Sequence, residues 1–311
     1  MGHTVHPFFV IALKNRICYT KASFNDEDAM KVHPAWYISA ALLIHCAPQL
    51  PPDQVAAWKP QRPLAGAEIT LYYNPGAVHA VLKNPAAVTA ELLQMRGDQQ
   101  PPLPLRLAMA RKGSLWQVHT LLQPEARMLL LRFTAERTDD NRGESWLSLV
   151  FSDDGRPVIG AHLEKALLLQ QGGVAGYPCR KDLHEAETEL EAELTVWPQN
   201  IAARTALWDL LLRQYPVAST TTRVRNELRQ VYESAGGDEE ILAALLPFFY
   251  RTGQAYIARE IITESVALLP HGSVAAAARR WEISQEADPV KKAAMIAAFQ
   301  HDFPRALPPQ P

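Results

Sequence analysis

Between Leu64 and His301 the alternation of apolar and polar positions changes rhythm once, around Gly172-Gly173 and Gly176-Tyr177-Pro178-Cys179. Before that break, short apolar runs are separated by turn residues roughly every ten positions, the pattern of β-strands. After it, apolar residues return three and four positions apart, the pattern of helices with one buried face. Ile241, Leu245 and Phe249 mark one such stripe, and Ile257, Ile261 and Leu268 another. The spacing predicts helices over 182–196, 201–214, 222–235, 238–251, 254–269, 271–285 and 289–301. Trp197-Pro198-Gln199-Asn200 and Gly236-Gly237 stop two of them, and Asp288-Pro289 opens the last with a capping carboxylate and a first-turn proline.

The helical stretch also repeats. Trp208, Leu211, Leu212 and Tyr215 recur as Leu242, Leu245, Leu246 and Phe249, each 34 residues on, and more loosely as Val274, Ala277, Ala278 and Trp281 after another 32. That period resembles the tetratricopeptide hairpin, in which each helical pair buries its apolar face on the next. Ala258, Ile262 and Pro270 stand where the repeat takes a small residue, a large apolar one and a closing proline; in the unit before, Val224 and Gly236 stand in for the small residue and the proline. Residues 182–303 are therefore expected to form a tetratricopeptide-like array, followed by a tail over 304–311.

The strand half is predicted from six runs. Glu68–Tyr73 closes on Asn74-Pro75-Gly76, and Val88–Met95 is a second candidate. Leu103–Ala110 passes through Arg111-Lys112-Gly113-Ser114 into Leu115–Leu121 as a hairpin, Ala126–Ala135 is strongly apolar, and Trp146–Phe151 ends at Ser152–Pro157. Six or seven strands at about ten-residue spacing predict an immunoglobulin-like β-sandwich over 64–165. The fold class is thus multidomain β + α, a sandwich followed by a helical array.

The N-terminal residues change the picture of where the chain works. Met30-Lys31 precedes ten apolar or small residues, Ala35–Ile44, and then His45-Cys46. A basic residue, a short apolar run and a cysteine resemble a bacterial lipoprotein signal over 30–46, too short to span a bilayer, with Cys46 as the lipidated residue. His45 departs from the small residue expected before such a cysteine. On this reading Met30 is the start, 1–29 is an upstream extension, and the product is exported and held at the membrane by its lipid alone. If Met1 is the start, 35–44 is instead a buried helix of a cytoplasmic protein. Residues 47–63, with Pro48, Pro51, Pro52, Pro60 and Pro63, are a spacer or a loop packed on the next domain through Trp58.

Composition then removes several functions. The formal net charge is −2, and no run of Lys and Arg exceeds two, so the basic stripe that binds nucleic acid is missing. Cys18, Cys46 and Cys179 form no Cys-x-x-Cys pair, and no His-Glu-x-x-His, Gly-x-Ser-x-Gly or phosphate loop occurs. No catalytic residue, metal or cofactor is expected. Asp139-Asp140-Asn141 with Glu144, and Asp153-Asp154, bring carboxylates to two turns, as calcium sites or as ordinary turn residues. Tyr72, Trp116 and Trp146 either fill the sandwich core or offer a sugar-stacking surface. Arg213, Arg223, Arg225 and Arg229 either face solvent or line a surface for an acidic peptide.

One resemblance covers about 64–302. Ile69-Thr70-Leu71-Tyr72-Tyr73-Asn74-Pro75, the turn Thr138–Glu144, Asp153–Ala161 and the helix beginning Ala186-Glu187 resemble the N-terminal region of exported TlpA-like thioredoxin-fold proteins. The resemblance implies a sandwich, helical hairpins and then a redoxin domain. The sequence reaches Pro311 without a Cys-x-x-Cys, so none of that family's catalytic residues is carried over. The expectation is a non-catalytic scaffold for a protein or peptide partner. The alternatives are the accessory part of a thioredoxin-like oxidoreductase working with a missing or separate redoxin, and carbohydrate binding by the sandwich.

Overall fold

A computed structural model describes residues 50–97, 100–174, 176–304 and 306. The signal, Cys46 and most of the tail lie outside the described residues. Antiparallel sheets fill the N-terminal half and eight helices the C-terminal half.

The first sheet has the order β1-β2-β6-β5, from Ala56–Lys59, Glu68–Tyr73, Leu115–Leu121 and Ala110–Lys112. The second has the order β4-β3-β7-β8, from Leu103–Ala108, Thr89–Arg96, Ala126–Thr134 and Thr138–Asp139, with β9 (Trp146–Leu149) also on β7. Alternate residues of each sheet meet in one core: Ile69, Leu71 and Tyr73 from β2 face Ala90 and Leu92 from β3 and Leu129, Leu131 and Phe133 from β7.

The unbroken apolar run in β7 has a separate cause. Met128 and Leu130 point to the opposite face of their sheet, where Leu93, Tyr177 and Leu168 of α1 (Ala161–Gln171) cover them. A strand buried on both faces carries no polar alternation. A two-stranded hairpin, β10 (Gly173–Val174) with β11 (Tyr177–Pro178), closes this layer, and Arg132 lies over the Tyr177 ring at 4.9 Å.

Three expectations need correction. Of the two readings of 47–63 the free spacer is the one corrected: the segment packs on the next domain through Trp58, as β1 paired with β2, and Val55 and Ala56 are buried. Four residues beside Pro60 leave little periodicity to read, and an edge strand tolerates that proline. The hairpin expected from 103–110 and 115–121 is shorter, because β4 stays with β3 in the other sheet. The chain changes sheet at the buried Met109, and only Ala110–Lys112 turns back onto β6. Finally, α1 falls in a segment where no helix is predicted. Ala161, Leu163, Ala166, Leu168 and Leu169 are all buried, but they serve two partners, the helices and the sheet, so its apolar residues form no single stripe to recognise.

The remaining helices are α2 (Leu183–Val196), α3 (Ile201–Gln214), α4 (Ala218–Ser234), α5 (Glu239–Arg251), α6 (Ala255–Leu268), α7 (Ser273–Gln285) and α8 (Pro289–Asp302). Most ends fall at or within two residues of the predicted ones. The exception is α4, which starts four residues early, inside the hydroxyl-rich Ser219-Thr220-Thr221-Thr222 run that favours caps and turns over helix interiors. Leu163, Ala166 and Leu169 of α1 share a cluster with Ala186, Leu190, Leu207 and Leu211. A second cluster joins α3 to α7 around Trp208, Leu245, Phe249 and Val274, and a third packs Phe299 of α8 on Ile283.

The odd-numbered helices lie side by side and point the same way. Arg213 near the end of α3 reaches Gln170 near the end of α1 at 2.8 Å. Arg251 at the end of α5 bonds Asp209 of α3 at 2.8 Å. Glu240 and Ser273, both in first turns, meet at 2.5 Å, while Tyr250 stacks on Trp281 near the other ends with centroids 4.9 Å apart.

Candidate functional site

Of the arginines singled out from sequence, three are engaged within the chain. Arg213 pairs with Asp209 at 2.7 Å, and Arg223 with Glu227 at 3.0 Å. Arg225 donates through Nε and Nη2 to the Thr252 carbonyl, at 3.2 and 2.7 Å, tying α4 to the C-terminal end of α5. Arg229 is exposed, with no hydrogen bond or ion pair among the described residues. Four free cations on one face are therefore not what the fold brings together.

The aromatic candidates divide similarly. Trp116 is a core residue and Tyr72 is buried, with the Lys59 ammonium 5.7 Å from its ring centroid. Neither offers a stacking face. Trp146 differs: it is half-buried, meets Phe133 edge-on at 5.3 Å, and lines a cavity of about 540 Å³.

That cavity is shaped by the start of β1, by His79 on the β2–β3 connection, and by the loop from β8 to β9. Val55, Ala56, Asp139 and Trp146 are its more buried lining, and Asp53, Gln54, His79, Arg142 and Glu144 its exposed lining. Asp139 is held hard: its Oδ2 accepts the Tyr73 hydroxyl at 2.9 Å and the Val81 N–H at 2.8 Å. Burial, reinforced by this carboxylate, pushes the Tyr73 phenol well above its usual range, so it stays neutral and donates.

The two carboxylate turns behave as turns. Asp140 Oδ1 accepts from the Gly143 N–H at 2.9 Å. Asp154 accepts from the Ser152 hydroxyl and from Arg156, which bring its pKa down to about 2. Among the described residues no group of three or more His, Cys, Asp or Glu is placed to hold a metal ion. Cys179 is a free thiol whose pKa is raised chiefly by burial, the opposite of an activated nucleophile.

A polar constellation that the sequence reading passed over joins α1 to α2. Glu193, fully buried, accepts from the Gly160 N–H at 2.6 Å, the His162 N–H at 3.2 Å and the Asn200 amide at 2.7 Å. It caps α1, whose own N-cap, Gly160, has φ 84° and no side chain to do so. One turn back, Glu189 meets His162 at 2.5 Å and Lys165 at 2.7 Å, and Glu185 meets Lys165 at 3.0 Å. Burial alone would raise the Glu189 pKa, but the bonds from His162 and Lys165 bring it below the usual carboxylate range. The signal was legible as glutamates at 185, 189 and 193, one face of one helix. The arrangement positions elements and holds no reacting atom.

Comparison with protein-family models, with curated proteins and with solved structures finds no match to this chain. Among the described residues no helix is long and apolar enough to cross a membrane.

Proposed function

We propose that this chain is a non-catalytic interaction scaffold, an immunoglobulin-like sandwich carrying a tetratricopeptide-like array that docks a protein or peptide. The observation that carries the reading is the parallel seating of α3, α5 and α7, which coincides with the 34- and 32-residue returns of apolar side chains. Helical pairs stacked in this way present one extended surface, and such surfaces take peptides and partner helices. Arg229, exposed on α4 and without a hydrogen bond or ion pair among the described residues, is a cation of the helical half free to meet an acidic partner. The chain is exported and tethered through Cys46 on the same proposal, which rests on the sequence pattern of residues 30–46.

The test places a photo-crosslinking residue at Arg229 and, as control, at the equally exposed Arg111 of β5 in otherwise intact protein expressed in cells. Discrete adducts at 229 and none at 111 support a helical docking surface; adducts at 111 alone, or at neither, reject it. A thioredoxin-fold protein in the adduct would identify the redoxin alternative. The address is read from intact mass, where a diacylglyceryl adduct on a chain beginning at Cys46 is expected and an unmodified chain beginning at Met1 refutes it.

A further inference from the structure

The cavity at the sandwich rim leads beyond the helical surface. Its 540 Å³ falls within the range of small-molecule sites, about 300–1,000 Å³. The side chains of Asp53, His79, Asn141, Arg142 and Glu144 make no hydrogen bond or ion pair among the described residues, although carboxylates and a guanidinium line the same space. Elsewhere such groups neutralise one another: Arg132 sits on Glu91 at 2.6 Å, Arg156 on Asp154 at 2.7 Å, and Arg251 on Asp209 at 2.8 Å. Between Glu144 and Trp146, the Ser145 hydroxyl is buried and also unpartnered. The loop itself is strained. Asn141, Arg142 and Ser145 hold φ of 57°, 62° and 47°, a left-handed conformation that disfavours side chains other than glycine and collects at ligand sites.

The chemistry of the lining selects the ligand class. An anion needs donors, and a cation needs acceptors. This cavity sets carboxylates that only accept, Asp53 and Glu144, with a guanidinium that only donates, Arg142, and with Asn141 and His79, which do both. The ligand that uses all of them donates and accepts at every edge, as the hydroxyls of a sugar ring do, while the ring's C–H face suits an indole. We propose that this cavity binds a saccharide, with Trp146 against the sugar face and Asp53, Glu144 and Arg142 hydrogen-bonded to its hydroxyls.

The experiment screens the full chain on a glycan array and measures the strongest saccharide by calorimetry, with spermidine and inorganic phosphate as cationic and anionic probes. One saccharide class is expected to bind. Asp53→Asn combined with Glu144→Gln, at two exposed positions, should weaken it at least tenfold without changing circular dichroism, and Trp146→Phe should weaken it as well. If Trp146→Phe does not fold, the exposed pair decides alone. An empty array, binding that survives the double variant, or tighter binding of spermidine or phosphate than of any saccharide overturns the proposal.

Discussion

The strand half and the helical half solve the same problem of burial in opposite ways. In the strands, one core draws on residues from Val55 to Val150, so almost every contact joins positions distant in sequence. In the helices three clusters follow one another, each built mainly from neighbouring pairs, and the last is as small as Ala276, Ile283 and Phe299. Burial in the first is shared by the whole half, whereas in the second it is additive from one pair to the next. A fully buried phenylalanine should therefore matter differently in the two places.

The largest expected effect sets Phe133→Ala against Phe299→Ala, since both rings are fully buried. Phe133→Ala should cost about 4 kcal/mol and shorten hydrogen-exchange protection throughout the strands. Phe299→Ala should leave the strands unchanged and speed exchange only in α7 and α8. Global loss in both variants would break the contrast.

Next come the buried carboxylates. Asp139→Ala strands the Val81 N–H and leaves the Tyr73 hydroxyl only its longer bond to the Leu82 carbonyl as donor, at a cost of about 3 kcal/mol in urea unfolding. Glu193→Ala strands three donors where the halves join and should cost about the same, with fast exchange now confined to α1 and α2.

The two halves should also fail at opposite ends of the pH scale. The Tyr73 pKa is raised on folding, so its contribution is complete below the unfolded value of about 10 and is lost as pH climbs beyond it. The Glu189 pKa is lowered, so its contribution is complete above about 4.3 and is lost as pH falls through the folded value. Tyr73→Phe should flatten the alkaline limb and Glu189→Gln the acid limb; a swap of these effects would contradict the assignment. The smallest effect is that of Arg223→Ala, whose exposed i, i+4 pair with Glu227 should cost no more than about 0.5 kcal/mol in thermal melts.

Much of this fold was legible because each element announced itself locally. Asp182, Asn200, Asp238 and Asp288 all cap helices, and each sits where the sequence reading opens or stops one. What escaped was non-local. The apolar run of β7 was read as a strand, but nothing in it says that a helix covers its second face, and α1 hides its identity for the same reason. The cavity is half legible: Asp139, Asn141, Glu144 and Trp146 stand out in the sequence, but as turn residues and a stacking aromatic on separate grounds. Asp53 and His79 carry no local signal, because they reach that place from stretches of chain more than fifty residues away.

The cover that α1 supplies has a mechanical corollary. Leu168 of α1 is keyed into the sheet while Leu163, Ala166 and Leu169 are keyed into the first helical pair, so the element that follows the strands is itself a splint. A hinge at this joint would have to tear apolar side chains out of two interfaces at once. Whatever grips the helices thereby takes hold of the strands too, and torque applied at one is delivered to the other, as by a bracket.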